Sequence, residues 1–296
     1  MMSLTIILIC LLAERFLLHY QELRQIDWLS NYSDWFARQE LPNWLQQGFA
    51  GIAVLLLPPL LVVSLLQHLL NDSLFGIPGA LYACLVLLYS LGPEDLDQQI
   101  TAFNEAREKN DQETADSIAR SLLKDTPPPT EPAYTQAVAE AILEQANNRV
   151  FAVIFWFLVL GPFGALLYRL VSTLPNLKAS HTDLDFFIAA RQLLAVLDWI
   201  PARITAFTYA IAGSFEDALY GWRSYHESRF DEFSNNASGI LICTGAGALR
   251  MSSLLDDKYD LTDSYQYIIE AVMGLVWRSL LVWLALLGLF TLAGWI

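Results

Sequence analysis

Charge is missing from four long stretches of this chain, and that constrains its fold more than any motif does. No Asp, Glu, Lys or Arg falls between Glu40 and Asp72, between Asp72 and Glu94, between Arg149 and Arg169, or from Ser279 onward. A soluble domain spreads charge over its whole surface. The 296 residues suffice for two soluble domains by length, but 55% are hydrophobic and only 16% charged, where about a quarter charged is usual. The chain reads as a membrane protein.

A helix needs about 20 apolar residues to cross the hydrocarbon core, because each residue rises ~1.5 Å. Residues 49–70 and 73–91 meet that length, parted only by Asn71-Asp72, and read as an antiparallel pair with a kink at Pro58-Pro59. Residues 150–171 and 271–296 are two more spans, with Arg278 near one end of the last. Residues 1–20 are a weaker candidate because they carry Glu14 and Arg15. They lack a basic start and an A-x-A site, so no removable signal peptide is expected. Residues 186–215 carry Arg191, Asp198, Pro201 and Arg203, and are expected to be a membrane-associated helix broken near Pro201.

Between these lie polar segments of helical character. Leu96, Ile100 and Phe103, then Ala115, Ile118 and Leu122, recur at helical spacing. Residues 125–132 break the pattern with Pro127-Pro128-Pro129, and a helix restarts near Thr130 with Pro132 in its first turn. No run alternates with period two, so the expected fold is all-α: a polytopic helical protein with 4–5 spans plus amphipathic interfacial helices. The expected organisation is membrane helices in 1–92, an amphipathic region 93–149, a span 150–171, membrane-associated helices and a polar loop in 172–270, and a final span 271–296. Five Lys and Arg in 93–149 against seven in 173–271 barely separate the two sides by the positive-inside rule.

Several functions are disfavoured. A net charge of −14 with no basic block argues against a nucleic-acid partner. Cys10, Cys84 and Cys243 lie far apart, giving neither a disulfide framework nor a zinc spacing. His19, His68, His181 and His226 are scattered, and no G-x-S-x-G or H-E-x-x-H is present. Gly245-Ala-Gly247 lacks the Lys-Ser/Thr of a phosphate loop. Few intramembrane charges and no internal repeat speak against a transporter.

Two groups of residues have the chemistry to bind. Glu140, Glu144 and Asn147-Asn148 share a helix face just before a span, with Arg149 following. Carboxylates in that pattern suit Mg²⁺, which takes one or two protein carboxylates alongside phosphate; a solvated acidic helix face has the same signature. The second group is Glu14, Arg15, Arg169, Asp198 and Arg203, in or beside apolar helices where a charge costs ~2.5–3.5 kcal/mol. They are expected to pair, with Asp198 and Arg203 meeting each other or Arg15 and Glu14. Trp156, Tyr168, Trp222 and Trp277 read as interface anchors.

Four blocks read in order resemble a known family: Glu14-Arg15; Asn147-Asn148-Arg149 through Trp156; Gly161-Pro162-Phe-Gly164 through Tyr168-Arg169; and Leu197-Asp198-Trp199-Ile-Pro201-Ala-Arg203-Ile-Thr205. They look like the AmpE proteins, inner-membrane proteins of Gram-negative bacteria associated with β-lactamase regulation, themselves similar to the CobD/CbiB cobalamin-pathway enzymes. The enzymes of that wider group activate a corrinoid carboxylate with ATP and Mg²⁺ and join it to an amino-alcohol phosphate. Lys124-Asp125-Thr126, the helix bearing Glu140 and Glu144, and Ser234-Asn235-Asn236-Ala-Ser-Gly resemble its blocks. Ser172-Thr-Leu-Pro175 departs where the family carries a carboxylate, and Trp199 stands in place of the second of two aspartates.

The resemblance implies a multi-pass inner-membrane protein with a signalling role, binding a nucleotide or a cell-wall-derived fragment on a CobD/CbiB scaffold; the alternative it implies is an ATP-dependent amide-forming enzyme. The candidate ligand residues are Glu14, Arg15, Asn147, Arg149, Arg169, Asp198, Arg203 and Asn236, and the candidate metal residues Asp125, Glu140 and Glu144. A Mg-nucleotide is the implied cofactor. The bilayer and a small ligand are the implied partners, and a homo-oligomer is compatible with them.

Overall fold

The computed structural model of the protein describes residues 2–16, 27–39, 42, 47–71, 77–91, 96–177, 184–228, 236–251 and 261–293. Every regular element among them is a helix. These are α1 (Met2–Phe16), α2 (Asp27–Ala37), α3 (Gly48–Asn71), α4 (Ile77–Leu91), α5 (Leu96–Glu108), α6 (Gln112–Leu123), α7 (Glu131–Ala146), a π-helical turn (Asn147–Phe151), α8 (Ala152–Thr173), a 3₁₀ turn (Leu174–Asn176), α9 (Leu184–Ala212), α10 (Phe215–Ser228), α11 (Asn236–Ala248) and α12 (Leu261–Leu292). Five stretches are long and apolar enough to cross a bilayer: Gly48–Leu70, Ile77–Glu108, Glu131–Asn176, Leu184–Ala212 and Tyr265–Leu292. The protein is an all-α polytopic membrane protein.

The chain divides into two compact units. The first takes Met1–Pro93, Ala152–Asp198 and Phe290–Ile296; the second takes Glu94–Phe151 and Trp199–Leu289.

In the first unit α4 packs against α1, α3 and α8, and α3 also packs against α8. Ile52, Leu55, Leu56 and Leu60 of α3 and Ala83, Val86 and Leu87 of α4 are buried. Leu57, Leu61, Val62, Leu65 and Leu69 of α3 stay exposed, as the lipid-facing side of a span requires. The segment of α2 contains no span, yet Trp28, Tyr32 and Trp35 line one side of it, with the Tyr32 and Trp35 rings stacked at 5.8 Å. An aromatic row on a short amphipathic helix is the composition of an interfacial anchor.

Pro58 and Pro59 lie inside a continuous α3. The sharp interruption comes instead in α8, where Gly161 adopts φ 66° and ψ −152° just before Pro162. Proline disfavours helical backbone at the residue before it, and only glycine takes this conformation without strain. The kink brings the Trp156 carbonyl so close that a Cβ on Gly164 would sit 2.2 Å from its oxygen. Gly161-Pro162-Phe-Gly164 is thus a unit of backbone geometry.

The expectation of a helix broken near Pro201 needs correction: α9 is one helix of 29 residues with Pro201 inside it. Proline lacks an N–H, so the carbonyl four residues earlier, on Leu197, loses its helical partner. The Trp156 indole donates to that carbonyl at 3.1 Å. An apolar surrounding makes an orphan carbonyl costly, and a side chain from α8 meets the demand.

In the second unit α5, α6 and α7 pack in succession, α7 also packs on α11, and α10 and α11 form a close pair. Leu96, Ile100, Phe103, Ala115 and Leu122 are buried as their spacing predicts, whereas Ile118 is only half-buried and Ala119, beside it, is buried instead. Asp111 starts α6, accepting from the Thr114 backbone N–H at 3.2 Å, and Thr130 precedes α7 with Pro132 in its first turn. The α10–α11 pair depends on glycine: a Cβ on Gly221 would lie 2.3 Å from the Cys243 carbonyl oxygen, and one on Gly247 would lie 2.4 Å from that of Asp217. Gly245 faces Leu143 of α7. The glycines near 245 are therefore helix-packing positions.

Candidate functional site

The π turn Asn147–Phe151 is the focus of the second unit's polar residues. A π turn carries more residues per turn than an α-helix, so backbone groups beside it lose their usual partners, and such turns often mark functional sites. The Asn147 N–H bonds to the carbonyl of Glu144 rather than to that of Leu143. The Tyr209 hydroxyl of α9 donates to the Leu143 carbonyl at 3.0 Å. Asn147 is fully buried; its Oδ1 accepts from the Thr205 hydroxyl at 3.0 Å and its Nδ2 donates to Asn148 Oδ1 at 3.3 Å. Phe151 sits edge-on to Tyr209 at 6.2 Å and close to Trp283 of α12 at 5.7 Å. The turn is thus held from α9 and α12 as well as by its own helix.

Charge lies immediately beside it. Arg149 donates from Nε to Gln145 Oε1 at 3.2 Å and from Nη1 to Gln99 Oε1 at 3.0 Å. Gln99 continues to the Ser121 hydroxyl at 2.6 Å, while buried Gln145 donates to the Leu122 carbonyl at 3.2 Å. Amides from α5 and α7 therefore aim the guanidinium. Glu144, half-buried on α7, accepts from the Ser238 hydroxyl of α11 at 3.0 Å. Glu140, one turn earlier, accepts from Gln136 at 2.8 Å. Asn236 is the first residue of α11; its side chain lies outside the described residues.

The expected metal trio is not assembled. Among the described residues no three His, Cys, Asp or Glu side chains group to hold a metal ion. Asp125 is exposed and closes a local turn, accepting from the Thr126 N–H at 2.7 Å. Glu140 and Glu144 sit one turn apart on α7. A Mg²⁺ already carried by phosphates needs only one or two protein carboxylates, a number that Glu140 and Glu144 match.

The second expected group is arranged differently from the reading of its residues. In the first unit buried Asp198 accepts from the Tyr168 hydroxyl at 2.6 Å, and Tyr168 is itself fully buried. Tyr168 and Trp156 are therefore internal hydrogen-bond donors, not the interface anchors expected. The Arg169 carbonyl accepts from the Ser172 and Thr173 hydroxyls at 2.9 Å each. In the second unit Arg203 lies 4.1 Å from the Trp199 ring centre and donates to the Trp199 carbonyl at 2.8 Å, and among the described residues it makes no ion pair with a carboxylate. A cation over an indole four residues earlier is satisfied within its own helix. Glu14 and Arg15 fall in α1, with side chains outside the described residues.

Three hydrogen-bond roles escaped the sequence reading: Thr205, seen only as the end of a family block, as the partner of Asn147, Tyr209 as the donor to Leu143, and Gln145 as the support of Arg149. Thr205 and Tyr209 share a helix face four residues apart, but nothing local to α9 shows that this face meets the π turn.

The CobD/Cbib protein family profile matches residues 7–268. A cobalamin biosynthesis protein CobD of Chromobacterium violaceum is 34% identical over 216 residues, covering 71% of this chain and 66% of that protein. A second, of Stutzerimonas stutzeri, is 30% identical over 270 residues, covering 86% of this chain and 84% of the other. Protein AmpE of Shigella flexneri is 28% identical over 183 residues, covering 57% and 64%. No solved structure matches. A profile that runs through α1, the π turn, all of α9 and the start of α12 covers both units, and the chain belongs to the CobD/CbiB family.

Proposed function

We propose that this protein is an AmpE-type member of the family: a multi-pass inner-membrane protein of a Gram-negative bacterium that binds a small anionic ligand or a nucleotide and serves envelope or β-lactamase signalling, without the ligation reaction. The observation that carries this reading is the pair Pro175 and Trp199. Carboxyl activation by ATP relies on Mg²⁺ bridging phosphates and neutralising developing charge. Pro175 lies in the 3₁₀ turn Leu174–Asn176 and has no group to bind metal or take a proton. Trp199 places an indole under the Arg203 guanidinium. Glu140, Glu144 and Arg149 remain half-buried, a set suited to hold a metal–phosphate group, while buried Asn147 fixes the turn that carries Arg149. The bound Mg²⁺ would supply charge neutralisation; the chain's own residues would bind and position.

The second reading, an ATP-dependent amide-forming synthase, is favoured by the names of the relatives in Chromobacterium violaceum and Stutzerimonas stutzeri. Complementation of a cobalamin auxotroph lacking its synthase separates the two. No growth on cobyric acid with normal membrane expression is the expected result, together with binding of Mg-ATP by the purified protein; growth would overturn it. Growth restored by Pro175→Asp with Trp199→Asp would show that the two lost carboxylates are the cause. Orientation belongs to the same reading: residues 93–149 are expected on the cytoplasmic side, where nucleotide is found, and a reporter near Lys109 active only in the periplasm would reverse that.

A further inference from the structure

Two of the three cysteines, 74 positions apart in sequence, meet in the first unit. Cys10 of α1 is fully buried, and its Sγ lies 3.0 Å from Sγ of Cys84 on α4. The Cys10 thiol is also within reach of the Cys84 carbonyl, at 3.4 Å. A disulfide bond measures about 2.0 Å, so the two sulfurs stand roughly one ångström short of bonding distance. The helices that carry them pack directly against each other, and each sulfur faces the other rather than solvent. Cys84 is half-buried where Cys10 is closed off, so the two thiols differ in access. Cys243, on α11 of the second unit, is a reference thiol elsewhere in the same chain.

We propose that Cys10 and Cys84 form a peroxide-reactive dithiol site that closes to an intramolecular disulfide and ties α1 covalently to α4. Cys84, the accessible thiol, is the one that attacks the hydroperoxide. Its sulfur displaces alcohol from a hydroperoxide: the O–O bond breaks, the S–H proton leaves with the alkoxide, and Cys84 becomes a sulfenic acid. The Cys10 sulfur then attacks that sulfur, forming the S–S bond and releasing water made from the sulfenic hydroxyl and the Cys10 proton. The hydroperoxide is reduced to the alcohol and the two thiols are oxidised by two electrons in all. The site lies among apolar helices, so the class of oxidant that fits it is a lipid-soluble organic hydroperoxide.

The test uses the full-length protein in lipid nanodiscs, exposed to cumene hydroperoxide and, in parallel, to hydrogen peroxide. Alkylation after denaturation, read by intact mass, counts the remaining thiols. The expected result is three alkylated cysteines before exposure and one, Cys243, after it. The oxidised protein has lost two hydrogen atoms, is monomeric on a non-reducing gel and reverts with a thiol reductant. Cumene hydroperoxide should act at least several-fold faster than hydrogen peroxide at equal concentration. Cys10→Ala should stop the reaction at the sulfenic acid, captured by dimedone at residue 84. The wild-type mass alone decides the matter if that variant does not fold. Retention of all three thiols, oxidation of Cys243 ahead of the pair, loss of reactivity without loss of the two hydrogens, or a cross-link between chains would each overturn the proposal.

Discussion

The unit built on α3, α4 and α8 and the unit built around the π turn both contain backbone groups that lost their helical partners, and they resolve them differently. In the first, a single distant donor repairs the loss: Trp156 reaches the Leu197 carbonyl, deprived of its helical partner by Pro201, which follows in the second unit's stretch of α9. Among the polar side chains there, buried Tyr168 of α8 donates to buried Asp198 of α9. In the second, the π turn sets off a connected series from Tyr209 and Thr205 through Asn147 to Asn148, with Gln145, Arg149 and Gln99 alongside. A hydrogen bond between two buried side chains fixes a helix in an apolar setting; a series that reaches half-buried charged groups leaves side chains able to meet a ligand. The difference favours the second unit as the ligand-binding one.

The largest test of this comparison strikes the geometry of each unit. Gly164→Ala forces a Cβ to within 2.2 Å of a backbone oxygen, and Gly221→Ala to within 2.3 Å of another. Neither neighbour is a flexible side chain, so each should cost at least the 1–3 kcal/mol typical of overpacking and strongly lower the yield of folded protein. Gly274→Ala, with nothing within 4 Å of its Cβ, is the control. It should be neutral or raise the thermal midpoint slightly, since alanine favours helix by up to about 1 kcal/mol over glycine. Equal behaviour of all three in detergent melting curves would mean the close approaches do not define the fold.

Next in size is the buried amide of the π turn. Asn147→Leu removes the acceptor of the Thr205 hydroxyl at a fully buried position, and should cost about 1–3 kcal/mol. Thr205→Val in that background should cost less than Thr205→Val alone, because the partner is already gone. Mg-ATP binding should fall with Arg149→Gln far more than the thermal midpoint does. A binding loss that simply tracks unfolding would remove the second unit's claim to be the ligand-binding one.

Much of this architecture was legible in the chain itself. Uncharged runs marked the spans, and helical spacing marked α5 and α6, because the hydrophobic effect acts on local composition. Pro201 misled because its local effect is to break a helix, while the remedy, Trp156, lies 41 residues from the Leu197 carbonyl it serves. Asp198 and Arg203 were expected to pair with each other or with Arg15 and Glu14; among the described residues a tyrosine meets the first and an aromatic face the second, at less desolvation than a buried charge pair. The π turn and the meeting of Cys10 with Cys84 leave no local trace at all. Asn147 and Arg149 were identified, but their partners came from α9 and α5, whose facing sides only tertiary packing reveals.

Trp156 and Pro201 give a narrower test of how the Leu197 carbonyl is satisfied. Trp156→Phe keeps the ring but removes the donor to the Leu197 carbonyl, and should cost about 1–2 kcal/mol. Pro201→Ala restores a backbone N–H four residues after Leu197. In that background the carbonyl has a helical partner again, and Trp156→Phe should cost markedly less. Additive effects in the double variant, measured by thermal melting, would mean that the indole contributes by packing alone.

The smallest expected effect is electrostatic and lies in the second unit, at the clasp where α10 begins and α11 ends. Asp217 accepts from the Ser214 hydroxyl at 2.5 Å and from Arg250 Nε at 2.6 Å, and the Ser214 N–H donates to the Ala248 carbonyl at 2.8 Å. The Ser214 hydrogen bond first, then Arg250, favours the ionised carboxylate and lowers the Asp217 pKa; Asp217 in turn raises that of Arg250. A carboxylate whose pKa is lower folded than unfolded stabilises the fold at pH values above its unfolded pKa, about 3.9 for aspartate. That contribution is lost as pH falls through the lower folded value. Asp217→Asn should therefore lower the thermal midpoint slightly at pH 7, and the gap to the wild type should close only below the ordinary carboxylate range. Salt should narrow it as well, because the pair is exposed. A gap that persists unchanged into acid would assign the clasp to the Ser214 backbone bond instead, and a variant that removes Ser214's hydroxyl alone, Ser214→Ala, would then leave stability at pH 7 untouched.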